Sequence, residues 1–137
     1  MKYGKQSLRD RNPATTGFAF EPRTLSAVPA VFGRSSALFV PTEGLEVGDP
    51  RLRAAQLQHL VANAVREEIL ARGETTEQYL ATVDAALPGR SYDRMSRLLR
   101  GKTQMQLADI MFWADRFDRV RHVVEAELRR RNGPGVG

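Results

Sequence analysis

A mainly α-helical domain of five helices, carrying an N-terminal extended arm or small β-hairpin, is the architecture that this sequence predicts. Three observations predict it. From residue 50 onward apolar residues recur at intervals of three and four. Capping and breaking residues divide that stretch into five segments. Before it, Pro13, Pro22, Pro29 and Pro41 interrupt the first 48 residues so often that no helical period survives. The 137 residues, 42% of them hydrophobic, suffice for one modest core. The expected division is an arm over 1–48, a helical domain over 49–131 and a glycine-rich tail over 132–137 that frays.

Within the arm, Val28 to Phe32 and Ala37 to Val40 flank Gly33-Arg34-Ser35-Ser36, a pattern of two short strands around a four-residue turn. A lone hairpin is marginal in water, so it is expected to lie on the helical domain or to pair with a second subunit. The first helix starts at Asp49-Pro50, where aspartate caps and proline suits the first helical position. Leu57, Val61, Val65 and Ile69 carry it to about residue 72, and Gly73 stops it. Thr75 with Gln78 has the form of a capping box opening a second helix, whose apolar face is Tyr79, Leu80, Val83 and Ala86 or Leu87. Pro88-Gly89 breaks that helix.

Ser91 then caps a short third helix ending at Gly101, with Met95, Leu98 and Leu99 on one side and Arg90, Arg94 and Arg97 together on the other. Thr103-Gln104-Met105-Gln106 repeats the capping-box form and is read as the opening of the fourth helix. The core stripe assigned to that helix is Leu107, Ile110, Met111, Ala114 and Phe117. Trp113 borders the stripe and belongs to the core. Phe112 points away from it, either under the N-terminal segment or into a dimer surface. Val120, Val123, Val124 and Leu128 mark a fifth helix running into Arg129-Arg130-Arg131.

Composition excludes several classes of chemistry. The chain has no cysteine, and His59 and His122 are too few and too distant for a zinc site, so no metal and no cofactor are expected. No nucleophile–base motif, phosphate-cradling glycine loop or histidine pair is present, which argues against an enzyme. The basic N-terminus lacks the apolar core of a signal peptide, and no apolar run approaches the roughly 20 residues that span a bilayer. A cytoplasmic protein with no membrane partner is expected. The net charge of +5 suits a polyanion, and between Pro88 and Gln104 five basic residues face the single acid Asp93.

Taken in order, the segment TTEQYLA…GRSYDRMSRLLRGKTQMQLADIMFWADRFDRV resembles the Cro and lambda-repressor type of helix-turn-helix, also called the xenobiotic-response-element family. Thr76, Leu80 and Ala81 match its second helix. Gly89 and Ser91 match the turn, Met95, Ser96, Leu98 and Gly101 the third helix, and Leu107, Ile110, Met111 and Ala114 the fourth. Glu77 stands where the family carries glutamine, and Leu99 where it carries an acid. The resemblance implies a DNA-binding transcriptional regulator, a repressor in the first instance. It would bind double-stranded DNA as a homodimer, with helix 91–100 in the major groove.

On that docking, Tyr92 and Arg94, with Ser91 and Arg97 beside them, meet base edges, and arginine is shaped to grip guanine bidentately. Arg90, Lys102, Thr103, Thr75 and Thr76 suit phosphates, and Gln78 takes the phosphate contact that Glu77 would repel. Lys2, Lys5, Arg9 and Arg11 suit a minor-groove or phosphate role for the arm, which is also the segment expected to hold any protein partner. The competing reading is a protein-interaction adaptor or antitoxin built on the same fold.

Overall fold

In the computed structural model, residues 20–34 and 39–130 are described. Lys2, Lys5, Arg9 and Arg11 lie outside them, as does the tail. The described residues form five α-helices and two 3-10 turns, with no strand. Helix α1 spans Pro50–Ala71, α2 Thr76–Ala86, α3 Tyr92–Leu99, α4 Leu107–Arg116 and α5 Asp118–Arg129. The 3-10 turns are Pro22–Leu25 and Pro29–Val31. None of the helices is long and apolar enough to cross a membrane.

Helix α1 is the axis of the fold. Asp49 caps it by accepting from the Arg51 N–H at 2.8 Å, and its Ala55, Val61, Ala62, Val65 and Ile69 side chains are buried. Helices α2 to α5 and the turn Pro22–Leu25 pack around it. Burial of Tyr79, Leu80, Val83, Met95, Leu98, Leu99, Trp113, Phe117 and Val120 joins the helices in one core. At about 25 cal/mol per Å2 of apolar surface, burying each such side chain contributes about 1.5–3 kcal/mol before ordering entropy is counted.

The proposed strand Val28 to Phe32 is replaced by the 3-10 turn at Pro29, because proline lacks the N–H a strand would donate and its fixed φ suits a turn's first position. Of the other strand and the tip, residues 35–38 lie outside the described residues. What pairs is the base of this excursion. An isolated antiparallel bridge joins Ser26 and Pro41, and the Ala27 N–H donates to Val40 O at 2.8 Å.

This segment is part of the core. Leu25, Phe32 and Phe39 are buried, and the rings of Phe32, Phe39 and His59 meet edge to face with centroids 5.4–6.1 Å apart. Gly33, at φ +72°, donates its N–H to His59 Nδ1 at 2.9 Å. A Cβ on Gly33 would lie 2.7 Å from Leu99 O, so only glycine lets this turn press against the end of α3. Phe32 in turn lies on Gly101, where a Cβ would come within 2.6 Å of its ring.

Helix α4 opens three residues later than the Thr103 cap implied. Buried Gln58 of α1 donates to Leu98 O and Thr103 O and accepts from the Met105 N–H, each at 2.8 Å. These bonds hold 103–105 off the helical path. Gln106 becomes the cap, and Asp109 accepts its N–H at 2.7 Å. The buried line of α4 is therefore Asp109, Trp113 and the following Phe117. Leu107 and Met111, assigned to the core stripe, are 82% and 57% exposed, while Ile110 and Ala114 are half-buried at its border. Trp113 stacks on Phe117 at 5.9 Å. On α5, Val120 is buried, Val123 and Val124 are half-buried, and Leu128 is exposed.

Candidate nucleic-acid interface

Helices α2 and α3 are joined by a tight reversal over Leu87–Ser91. Gly89 takes φ +86°, and the Arg90 N–H returns to Leu87 O at 3.1 Å. The N-terminus of α3 is fixed twice. Ser91 Oγ accepts from the Arg94 N–H, and Asp84 of α2 accepts from the Tyr92 N–H, both at 3.1 Å. A carboxylate there also suits the positive end of the helix dipole. The far end of α3 is held by Gln58 on Leu98 O and by the Arg23 N–H on Gly101 O at 3.0 Å. Met95, Leu98 and Leu99 anchor the inner side. The helix is thus rigidly mounted, with Tyr92, Asp93, Ser96, Arg97 and Arg100 half-buried or exposed along its length.

The basic face read from the helical period does not stay together. Arg94 forms a bidentate ion pair with Asp109 of α4, with Nη2 to Oδ2 at 2.9 Å, and Arg90 reaches Asp109 Oδ1 at 3.3 Å. Arg90 also lies over the Phe112 ring at 4.7 Å, with Arg116 near the same ring at 5.5 Å. The Phe112 and Trp113 rings meet edge to face with centroids 4.8 Å apart, and Phe112 is half-buried. Burial of Asp109 by itself raises its carboxyl pKa. The Arg94 pair, the Gln106 N–H and the Arg90 charge outweigh burial and hold it below the ordinary aspartate value. The same hydrogen bond to Asp109 pushes the Arg94 pKa upward.

Arg97 is exposed and forms no ion pair among the described residues, Asp93 included. Lys102 and Thr103 are half-buried in the loop after α3, with Thr103 O taken by Gln58. The capping box at α2 forms as expected, with Thr75 Oγ1 accepting from the Gln78 N–H at 3.1 Å and Gln78 Oε1 from the Thr75 N–H at 3.0 Å. Gln78 is thereby occupied within its own helix.

Thr76 and Tyr92 line one cavity of about 260 Å3 between the first turn of α2 and the outer side of α3. Arg34, Arg66 and Arg100 line it as well, with Glu77 and Asp93 at its wall. None of these three arginines is ion-paired among the described residues, and Arg66 Nε is buried with no hydrogen-bond partner. Burial, then the charge of Arg34, pushes the Arg66 pKa down to about 10. Glu77 opposes the shift and Arg100 adds to it. Sequence reasoning missed this grouping because Arg34 falls in the turn of the expected hairpin and Arg66 was given no role. Asp109 was legible in principle, since Gln106-x-x-Asp109 also has the spacing of a capping pattern.

Comparison with known proteins returns no match to this chain, whether to a family model, a curated protein or a solved structure.

Proposed function

We propose that α2 and α3 form a helix-turn-helix of the Cro and lambda-repressor kind. On this reading the protein is a sequence-specific regulator of transcription that binds double-stranded DNA, acts as a repressor in the cytoplasm and requires neither catalysis nor a cofactor. The observation that carries the proposal is the mounting of α3: one side locked into the core, both ends tethered, and a polar outer side bearing Tyr92, Ser96, Arg97 and Arg100. A helix so presented suits a major groove about 12 Å wide. Arg97 is the leading base-reading residue, with Tyr92 beside it. Arg94 and Arg90 act chiefly by bracing α3 against α4 through Asp109. Lys102 and the first turn of α2 serve phosphates.

Fluorescence anisotropy with genomic fragments across salt concentrations tests this. Affinity is expected to fall with salt by about 0.9 logarithmic units per phosphate contacted and per decade of salt. Arg97→Ala is expected to cost about 1–3 kcal/mol on the preferred site. Binding that ignores both salt and Arg97→Ala overturns the proposal. Arg94→Ala is a poor probe, because it also breaks the pair with Asp109.

Exposure of Leu107 and Met111, one turn apart on α4, favours a protein contact in addition. A homodimer places two reading helices on successive half-sites, which one short helix needs for useful specificity. An adaptor or antitoxin would use the same side chains on another protein. Sedimentation of the purified chain separates the two, since a homodimer forms without any second protein.

A further inference from the structure

Three arginines drawn from separate parts of the chain converge on one cavity. Arg34 follows the Gly33 turn, Arg66 lies on α1, and Arg100 caps the C-terminus of α3. The convergence is built into the fold. The Gly33 N–H is held by His59, and a Cβ at Gly33 would lie 3.8 Å from Arg66 Nε, so this turn sits directly over the Arg66 guanidinium. Elsewhere several arginines are matched to acids: Arg51 with Asp49, Arg90 and Arg94 with Asp109, Arg119 with Glu67 and Glu68, and Arg130 with Glu127. Here they are not, although Glu77 and Asp93 are near. Three cations against two acids leave the cavity wall with a net charge of +1 and an unpartnered buried N–H.

We propose that this cavity is a binding site for a single phosphate group, with Arg66 as its floor and Arg34 and Arg100 closing over it. A guanidinium matches phosphate oxygens in shape and charge, and none of these three is ion-paired among the described residues. The Thr76 hydroxyl is a further donor at the rim. Burial first, and after it the charges of Arg34 and Arg100, disfavour the Arg66 cation, and an anion entering the cavity offsets all three. The phosphate belongs either to a DNA backbone or to a free phosphorylated small molecule. The site stands on its own residues in both cases, so it does not require the DNA-binding reading to be correct.

The test follows the arginine Nε–Hε resonance of Arg66 by NMR in the full chain. It is titrated with inorganic phosphate at constant ionic strength against chloride, and separately with a short DNA duplex. A saturable shift with phosphate is expected. It should weaken about tenfold or more, the factor that one charge-assisted hydrogen bond supplies, in Arg34→Ala and in Arg100→Ala. Both of these side chains are exposed, so the variants are expected to fold. Without phosphate each should also have a higher thermal midpoint than the wild type, because repulsion on Arg66 is reduced. A merely structural arginine would move the midpoint the other way.

If duplex shifts the same resonance and Arg100→Ala lowers the salt slope of DNA binding by about one, the phosphate is a backbone phosphodiester. If phosphate binds and duplex does not, the ligand is a free phosphate ester, and the site stands although the DNA reading fails. If neither phosphate nor duplex moves the Arg66 signal, or if both variants leave the shift unchanged, the proposal is overturned, whatever the fate of the DNA reading.

Discussion

Replacing Asp109 is expected to loosen α3 from α4 by an amount that the geometry allows to be divided. The carboxylate is 2% exposed, pairs bidentately with Arg94 and accepts the Gln106 N–H that opens α4. Deleting one partner of a fully buried pair costs about 3–5 kcal/mol. Here the side chain of Arg94 is 33% exposed and can be taken up by water, which reduces the pair's share to about 1–2 kcal/mol. Loss of the cap adds about 1 kcal/mol. Asp109→Ala should therefore cost about 2–3 kcal/mol, or roughly 10 °C of melting temperature at this chain length. Asp109→Asn, which keeps an acceptor for Gln106, should cost about 1–2 kcal/mol.

The sign of the pH dependence is fixed by the direction of the pKa shift. The folded carboxyl lies below its ordinary value, so the unfolded chain takes up the proton first as pH falls. The stabilisation from Asp109 is therefore complete above about pH 4 and is lost as pH drops through the folded pKa. Urea unfolding followed by circular dichroism should show wild type exceeding Asp109→Asn by a constant margin near neutrality, and by a shrinking one below about pH 4. A margin within about 0.5 kcal/mol at neutral pH, or one that persists undiminished into acid, would refute the role given to the ion pair.

Gln58→Leu leaves the Met105 N–H and the carbonyls of Leu98 and Thr103 without their buried partner, and should cost about 3–5 kcal/mol in urea melts. A loss under about 1 kcal/mol would show that water replaces the amide easily. Gly101→Ala drives a methyl into the Phe32 ring at a φ of +72° and should cost about 2 kcal/mol or more by thermal unfolding, more than Gly73→Ala, where φ is similar but the surroundings are open. Thr75→Ala removes the acceptor for the Gln78 N–H and should cost about 1 kcal/mol in urea, with no change in the slope against denaturant.

Helix starts were legible wherever the cap is local. Asp49, Thr75 and Ser91 each accept from a backbone N–H two or three residues on, so the pattern and its partner lie in the same few residues. The start of α4 was misplaced because its determinant is remote: Gln58 is separated from Thr103 by 45 positions, and no local pattern reports it. That late start also rotated the buried side of α4, placing a carboxylate at a core position and leaving Leu107 and Met111 outside. Periodicity locates a stripe but does not reveal that a buried acid will be taken up by one arginine of α3 and one of the turn before it. The three-arginine cavity was invisible for a related reason, because its members are brought together by the turn at Gly33 and not by any repeat.

The packing of Phe32 on Gly101 limits how this domain can be re-used. The segment that resembles a helix-turn-helix runs from Thr75 to Val120, yet the closing glycine of α3 is sealed by a ring and an N–H that come from positions 32 and 23. Transplanting that segment alone into another scaffold would leave an apolar notch and an unanswered carbonyl at the end of α3. A working chimera must bring residues 20–34 with it. On the DNA-binding proposal, new sequence preferences are better sought by varying Asp93, Ser96 and Arg97 in place, where exchange disturbs neither the inner wall of α3 nor its two anchors.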